Sequence, residues 1–430
     1  MRSVKQNNRK VVLEFMRKSG SLTIANISDA VRISTPTVQK IVDFFVSENL
    51  VLTVGKGLSA DGGGKKPSLF SFNRAHGYTI SIYIGADTMT SVISDMNADI
   101  IHSEEVRLDK NGKIDVVVRL VADVIERFQD HSSIQGLPLI GIAVALPGVA
   151  DPIRGLMVFS PHYPGWETDF PIRSELLKYV QLKVPLYFDC VNRFQALAER
   201  DKGLAQGKDN FVIVDALQEG LGAGFIVKGE IKHGAHNLSG EIGHMILDPD
   251  GAPCICGGRG CFEAMVSEKR VLKQAREGFT AHPDSLIFRS RTPESVGREH
   301  LFDAFRKGDT FAKEIVDDVI QWFAYGLINV IMVVDPELII LQGIYSELGD
   351  YFLDGLRDRI ARSSLPAIRK NVQIVYSRFG PERGVVGGAA YVCDTYFDHD
   401  IWKKLRAADA LDIDNQAGAE ASASRVTTRI

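Results

Sequence analysis

The sequence predicts an α/β protein in which a small N-terminal winged helix-turn-helix unit precedes a two-lobed α/β body. Three observations carry that expectation. Residues 1–74 hold 12 Lys and Arg against 5 Asp and Glu, whereas the rest of the chain holds 38 against 49. Helical periodicity fills the basic segment, and alternating strand patterns begin near Gly77. Beyond Gly77 a strand-then-helix series runs twice, which fits two similar lobes with a cleft between them. At 430 residues the chain exceeds what one small core organises.

The basic segment reads as three helices and a hairpin. Asn8 to Lys18 places Val11, Val12, Phe15 and Met16 on one helical face. Thr23 to Val31 forms a second helix, with Ile24, Ile27 and Val31 inward. Ser34 or Thr35 then caps a third, with Pro36 in its first turn and Val38, Ile41, Val42 and Phe45 inward. The opposite face shows Thr35, Thr37, Gln39 and Lys40, the side chains a recognition helix offers to base edges and phosphates. Leu50–Val54 and Ser68–Phe72 flank a Gly-rich tip, which makes a wing whose Lys65 and Lys66 reach DNA backbone. A basic arm on an acidic body is the charge pattern of a module that meets a polyanion.

In the body, TISIYIGADTMTSVISDMNADIIHSEEVRL alternates as a β-meander. An amphipathic helix over Lys113–Phe128, a buried strand in LIGIAVALPGVAD, a strand over Leu186–Phe188 and a helix from about Asn192 to Gly203 follow. The second series starts at Asn210 with FVIVDAL, GAGFIVKGEIKHG and HMILDP as strands. Helices over Ser267–Glu277, Glu299–Lys307 and Phe311–Val334 come next, then strands in LIILQG and VQIVYS. GVVGGAAYVCDTYF is a small-residue helix that returns across the fold, and the last 25 or so residues read as a frayed tail.

Other classes are excluded by composition. No uninterrupted apolar run reaches bilayer length, and the polar N-terminus lacks a signal-peptide core, so a cytoplasmic protein is expected. Five clustered cysteines argue against a disulfide framework. His244, Cys254, Cys256 and Cys261 lie within one short glycine-rich stretch. Three thiolates and one imidazole would fill a tetrahedral zinc site and leave no position for a reactive water, which is the pattern of a structural metal. The competing reading is a reduced thiol cluster.

The stretches SGEIGHM, CICGGRGCFE, VDPELIILQG and GVVGGAA, in that order, resemble the ROK family of repressors, open reading frames and sugar kinases. The resemblance runs from about Asn8 to Phe397 and is strongest to the repressor branch, which joins a winged helix-turn-helix to a kinase-like body. It implies an actin/hexokinase-like (ribonuclease H-like) pair of lobes and a structural Zn²⁺ on His244, Cys254, Cys256 and Cys261. It also implies that Glu241, His244 and Glu263 border a sugar. On this basis residues 1–74 form the DNA-binding domain and 77–200 the first lobe, completed by a helix over about 383–398. Residues 201–382 form the second lobe with the zinc motif, and 405–430 the tail.

Where the family's kinases read ENDANAAALGE, this chain reads DCVNRFQALAE, so Val191 stands at the position of the catalytic aspartate and Cys190 at that of the sugar-gripping asparagine. Tyr83 replaces the aspartate of DIGGT, QEGLGAG with Gln218 and Glu219 replaces GTGIGAG, and His162 stands where an asparagine is frequent. An isopropyl group accepts no proton, so the expectation is a non-enzyme. The expected function is a transcriptional regulator, a repressor by branch, acting as a homodimer or higher homo-oligomer on a double-stranded operator under a sugar effector. A bifunctional kinase with a DNA-binding arm and a regulator controlled by a protein partner are the alternatives.

Overall fold

The computed structural model describes residues 4–400 except 58–65, 162, 218–219, 363–365, 367–371 and 381. Lys65, His162, Gln218, Glu219 and the 405–430 tail therefore lie outside the described residues.

The N-terminal unit contains α1 (Val4–Lys18), α2 (Ile24–Val31) and α3 (Thr35–Ser47), then an antiparallel pair, β1 (Val51–Lys56) and β2 (Ser68–Phe72). Thr23 caps α2, its hydroxyl accepting from the Asn26 N–H at 3.2 Å while the Asn26 side chain reaches back to the Thr23 N–H. Arg32 ends α2 at φ 55°, so the turn into α3 is made by a left-handed non-glycine residue. Val38, Ile41, Val42 and Phe45 are buried as the periodicity predicts. On α1 the buried set is Val12, Leu13 and Met16, whereas Val11 is exposed. That face is rotated because α1 packs against more than its own unit. Its cluster also includes Met96, Cys393 and Phe397 from the body.

The body holds two five-stranded sheets of one topology. The first is built from β3 (Tyr78–Ile84), β4 (Thr88–Asp95), β5 (Ile100–Arg107), β6 (Leu139–Leu146) and β9 (Leu186–Cys190), in the order β5-β4-β3-β6-β9. β3, β4 and β5 pair antiparallel, and β6 and β9 extend β3 in parallel. The second comprises β10 (Phe211–Ala216), β11 (Leu221–Val227), β12 (Glu230–Ile231), β13 (Leu338–Gly343) and β14 (Gln373–Tyr376), in the order β12-β11-β10-β13-β14. The same antiparallel-then-parallel pattern recurs there. A short hairpin of β7 (Val149–Asp151) and β8 (Leu156–Phe159) lies beside the first sheet.

α4 (Ile114–Gln129) and α5 (Ile172–Leu176) cover the first sheet, burying Val117, Val121, Ile125 and Phe128 against Ile80 and Ile82. α7 (Phe262–Val266), α8 (Glu268–Glu277), α9 (Arg298–Arg306), α10 (Thr310–Val334) and α11 (Gly349–Ala361) build the second lobe's core. α10 starts where Asp309 accepts the Ala312 N–H at 2.8 Å and stops at Asp335, φ 50°. By length and composition it is apolar enough to cross a bilayer, in contrast to the reading of the sequence, but Phe311, Ile315, Val319, Phe323, Leu327 and Ile331 sit in the core. Between the sheets run α6 (Val191–Lys202) and α12 (Arg383–Thr395), packed closely on each other. HMILDP, expected as a strand, makes only a single bridge from Ile246 to Cys261. Its backbone is spent on the cysteine loop, with Leu247 and Asp248 donating to the Gly260 carbonyl.

Candidate functional site

The two lobes enclose a cleft of about 640 Å³ open to solvent. Its walls come from the β3–β4 turn, the β9–α6 junction, the start of β11 and the segment that carries Glu241, His244 and Glu263. The fold therefore brings together the three residues read from sequence as a sugar wall. Glu263 is anchored, with one carboxylate oxygen accepting the Leu221 N–H at 3.0 Å. Burial pushes the Glu241 carboxyl above its usual range, against the pull of His244 and Arg193, while Glu263 adds to the rise. Among the described residues no Lys or Arg lines this cleft. It offers carboxylates and an imidazole, which suit hydroxyl donors.

Behind that wall lies the cysteine cluster. One donor atom from each of His244, Cys254, Cys256 and Cys261 lies within 4.8 Å of the others. Cys254 Sγ is 3.7 Å from His244 Nδ1, and Cys256 Sγ is 3.7 Å from Cys261 Sγ. All three cysteines are free thiols rather than a disulfide and a partner. Gly257 and Gly260 take φ of 88° and 62°, and any side chain at Gly260 would collide with the Asp248 carbonyl, so the loop closes only with glycine there. Burial pushes the thiols of Cys254 and Cys261 up, the neighbouring sulfurs adding to the rise at Cys261, while the Gly258 N–H pulls Cys256 down. Three thiolates coexist in such a place when a cation compensates them, so the donor set is compatible with a structural metal. With Nδ1 turned to the sulfurs, the Nε2 edge of His244 is left for the cleft.

At the β9–α6 junction Val191 lines the cleft, 9% exposed. Asp189, two positions earlier, is no replacement base. It is 2% exposed and both oxygens are engaged. Oδ1 accepts from the Cys190 N–H at 2.8 Å and from Arg193 Nη1 at 2.7 Å, and Oδ2 meets His233 Nε2 at 2.7 Å. Arg193, 1% exposed, also donates to the carbonyls of Asn237 at 2.6 Å and Ser239 at 3.2 Å. Asp189, Arg193 and His233 thus form a latch that ties the first lobe to the loop leading into Glu241. The sequence reading missed it. The signal available was an arginine four residues after an aspartate at a strand–helix junction. Burial pushes the Cys190 thiol up to about 12, so it stays protonated.

The β3–β4 turn, with Tyr83 just before it at the end of β3, is also closely packed. The half-buried Tyr83 ring lies against Gly384 at the start of α12, where any side chain would strike it, and desolvation raises its hydroxyl to about 12. Gly85 is held by the Tyr163 hydroxyl at 2.8 Å, with Trp166 stacked on Tyr163 at 4.1 Å. Tyr163 and Trp166 from SPHYPGW therefore serve the core of the first lobe.

On α3, Gln39 and Lys40 are exposed and Thr37 is half-buried. Three of the expected readers have local partners, Thr37 through its hydroxyl, 2.9 Å from Ser34 Oγ. The Thr35 hydroxyl lies 3.2 Å from Ser28 Oγ, and Gln39 donates to Asp43 at 2.8 Å. Lys66 is exposed at the base of the hairpin tip.

Comparison with known proteins agrees with this architecture. The ROK family model matches residues 79–395. The xylose repressor of Bacillus spizizenii is 26% identical over 92% of this chain and 97% of its own length. The glucokinase of Thermotoga maritima is 32% identical over 66% of this chain and 87% of its own. The fold is shared with a ROK family transcriptional regulator, a homolog of the E. coli MLC protein, at TM-score 0.76 and 23% identity, covering 92% of this chain and 97% of that one. At 92% of the chain the repressor and regulator matches take in at least part of residues 1–74, and the glucokinase match covers only 66% of the chain. The chain belongs to the ROK family.

Proposed function

We propose that this chain is a DNA-binding transcriptional repressor whose operator affinity is set by a sugar or sugar derivative held in a non-catalytic cleft. The observation that carries this reading is the joining, in one chain, of a winged helix-turn-helix unit to a kinase-like cleft whose base position is Val191. Losing a general base costs on the order of 10²–10⁴ in rate, and Asp189, the carboxylate two positions before Val191, is locked in a buried ion pair. The full-length likeness to a xylose repressor supports regulation over catalysis.

In this reading Thr35, Thr37, Gln39 and Lys40 meet the major groove, and Lys65 and Lys66 meet the backbone. Glu241, His244 and Glu263 take the sugar hydroxyls. The protein acts in the cytoplasm as a homodimer or higher homo-oligomer. The metal is zinc. Tetrahedral zinc with bonds of about 2.3 Å to sulfur and about 2.0 Å to nitrogen would hold its donors roughly 3.5–3.8 Å apart, a range that contains the 3.7 Å spacing of Cys256 from Cys261 and of Cys254 from His244. Zinc would fix the His244 ring and brace the loop that carries Glu263.

The deciding experiment measures binding to an operator duplex by fluorescence anisotropy, with and without D-xylose or D-glucose, alongside ATP turnover with the same sugars. Sugar-dependent release with no turnover supports the reading. The likeness to a glucokinase favours a second one, a kinase with a DNA-binding arm, and measurable phosphorylation of either sugar would establish it.

A further inference from the structure

The end of α6 remote from the cleft carries two ion-pair clusters of the same construction. Asp394, on α12, takes Arg200 of α6 on Oδ2 and Arg17 of α1 on Oδ1, the latter at 3.1 Å. Asp99, in the β4–β5 turn, takes Lys202 of α6 on Oδ1 and Arg74 on Oδ2. Arg74 lies two residues after β2, on the segment that leaves the N-terminal unit. In each cluster one carboxylate oxygen holds a cation of α6 and the other holds a cation of the winged unit or its exit.

The near end of α6 is in the cleft, where Val191 and Asn192 form part of the wall. Twelve residues separate the two ends by about 18 Å along the axis. The helix has little room to move independently of its neighbours. On β11 a side chain at Gly224 would strike the Asn192 carbonyl, and on α12 a side chain at Gly387 would strike the Phe194 carbonyl. Elements in such backbone contact pass a displacement on rather than absorb it.

Apart from one further ion pair, Lys10 Nζ of α1 to Asp398 Oδ1 at 2.9 Å just beyond α12, which shares no carboxylate with α6, the remaining contacts between the N-terminal unit and the body are largely apolar. Phe72 meets Phe397 edge-on at 5.9 Å, with Cys393 and Met96 beside them. Apolar burial is non-directional and tolerates a change of angle. Ion pairs with fixed geometry do not. Arg17, Arg200 and Asp394 are 13%, 24% and 32% exposed, so their attraction is only partly screened.

We propose that Asp394 and Asp99 are the coupling residues of this regulator, transmitting the position of α6, as set by what occupies the cleft, to the winged helix-turn-helix unit. The proposal rests on the functional reading above for its input.

The test uses the full chain, the duplex that the wild-type protein selects from a random-sequence library, and D-xylose and D-glucose as probes. The variant carries Asp394→Asn with Asp99→Asn. The expected wild-type response is at least a tenfold change in duplex Kd on adding the active sugar, and less than a twofold change in the variant, with sugar affinity by calorimetry kept within threefold. A variant that keeps the full response overturns the proposal. If neither sugar binds the wild-type protein, the choice of effector fails, and coupling is decided by a wedge instead. Gly224→Ala pushes on the Asn192 carbonyl, in the backbone at the cleft end of α6. It should change duplex Kd at least threefold in the wild-type background and leave it unchanged when Asp394 and Asp99 are both replaced. An equal change in both backgrounds, or none in either, overturns the coupling.

Discussion

Replacing Arg193 with alanine is expected to be among the most damaging single changes in the body of this protein. The guanidinium is 1% exposed and spans Asp189, the Asn237 carbonyl and the Ser239 carbonyl. Its removal leaves the Asp189 carboxylate in a nearly dry site, with only the Cys190 N–H and His233 for company. Breaking a buried pair from one side costs about 3–5 kcal/mol. At roughly 2–4 °C per kcal/mol for a lobe of this size, the melting transition should fall by roughly 6–20 °C. Differential scanning calorimetry at pH 7.5 measures it. His233→Ala is the control. His233 is partly exposed, its contribution is about 1 kcal/mol or less, and the melt should fall by about 4 °C at most. Arg193→Lys restores a charge beside Asp189 but cannot hold two carbonyls in a fork. It should regain much of the melt while sugar affinity stays at least tenfold low, because the loop before Glu241 is still untied. An Arg193→Ala protein melting within about 2 °C of the wild type would refute the latch.

Further outcomes follow from the site and from the charge clusters. Metal analysis should return zinc in a one-to-one ratio with the chain, and Cys256→Ser, which removes the exposed ligand, should lower zinc occupancy and sugar affinity together. Val191→Asp should not create a sugar kinase in an ATP-turnover assay, because Tyr83 still stands where the family's kinases carry the DIGGT aspartate. Lys65→Ala with Lys66→Ala should weaken binding similarly on all duplexes and reduce the salt slope by about 2. Acid should loosen the N-terminal unit. Burial raises the Asp394 carboxyl, but Arg200 and Arg17 outweigh it and hold it below its usual 3.8. Burial likewise raises Asp99, and Lys202, Asn97 and Arg74 outweigh it in the same sense. A carboxyl depressed in the fold gives stability that is complete above its unfolded value and lost as pH falls through its folded value. Hydrogen exchange across α1 should therefore be flat from pH 7 to about 5, after correction for intrinsic rates, and rise below about 3.8.

Much of this protein could be read from the order of its residues because the relevant physics is local. The spacing of Val38, Ile41, Val42 and Phe45 fixes which face of α3 is buried whatever surrounds it. The register of β3 against β4 follows from alternation across a short turn. The cysteine cluster was legible because glycines let one short stretch bring its own ligands together, and only His244 comes from outside the hairpin of Cys254 to Cys261.

What only the tertiary structure decided depends on residues far apart in sequence. Asp189 is a carboxylate only two positions before Val191, and its partners at positions 193 and 233 remove it from chemistry. Val11 looked buried by periodicity and is exposed, since the neighbours that choose the face of α1 include Cys393 and Phe397, nearly four hundred residues away. HMILDP has a strand's composition but no partner strand, and a β-strand exists only by pairing. The sharing of Asp394 between Arg17 and Arg200 has no local signature, because the energy of an ion pair depends on distance in space, and chain order constrains that distance only across a few residues.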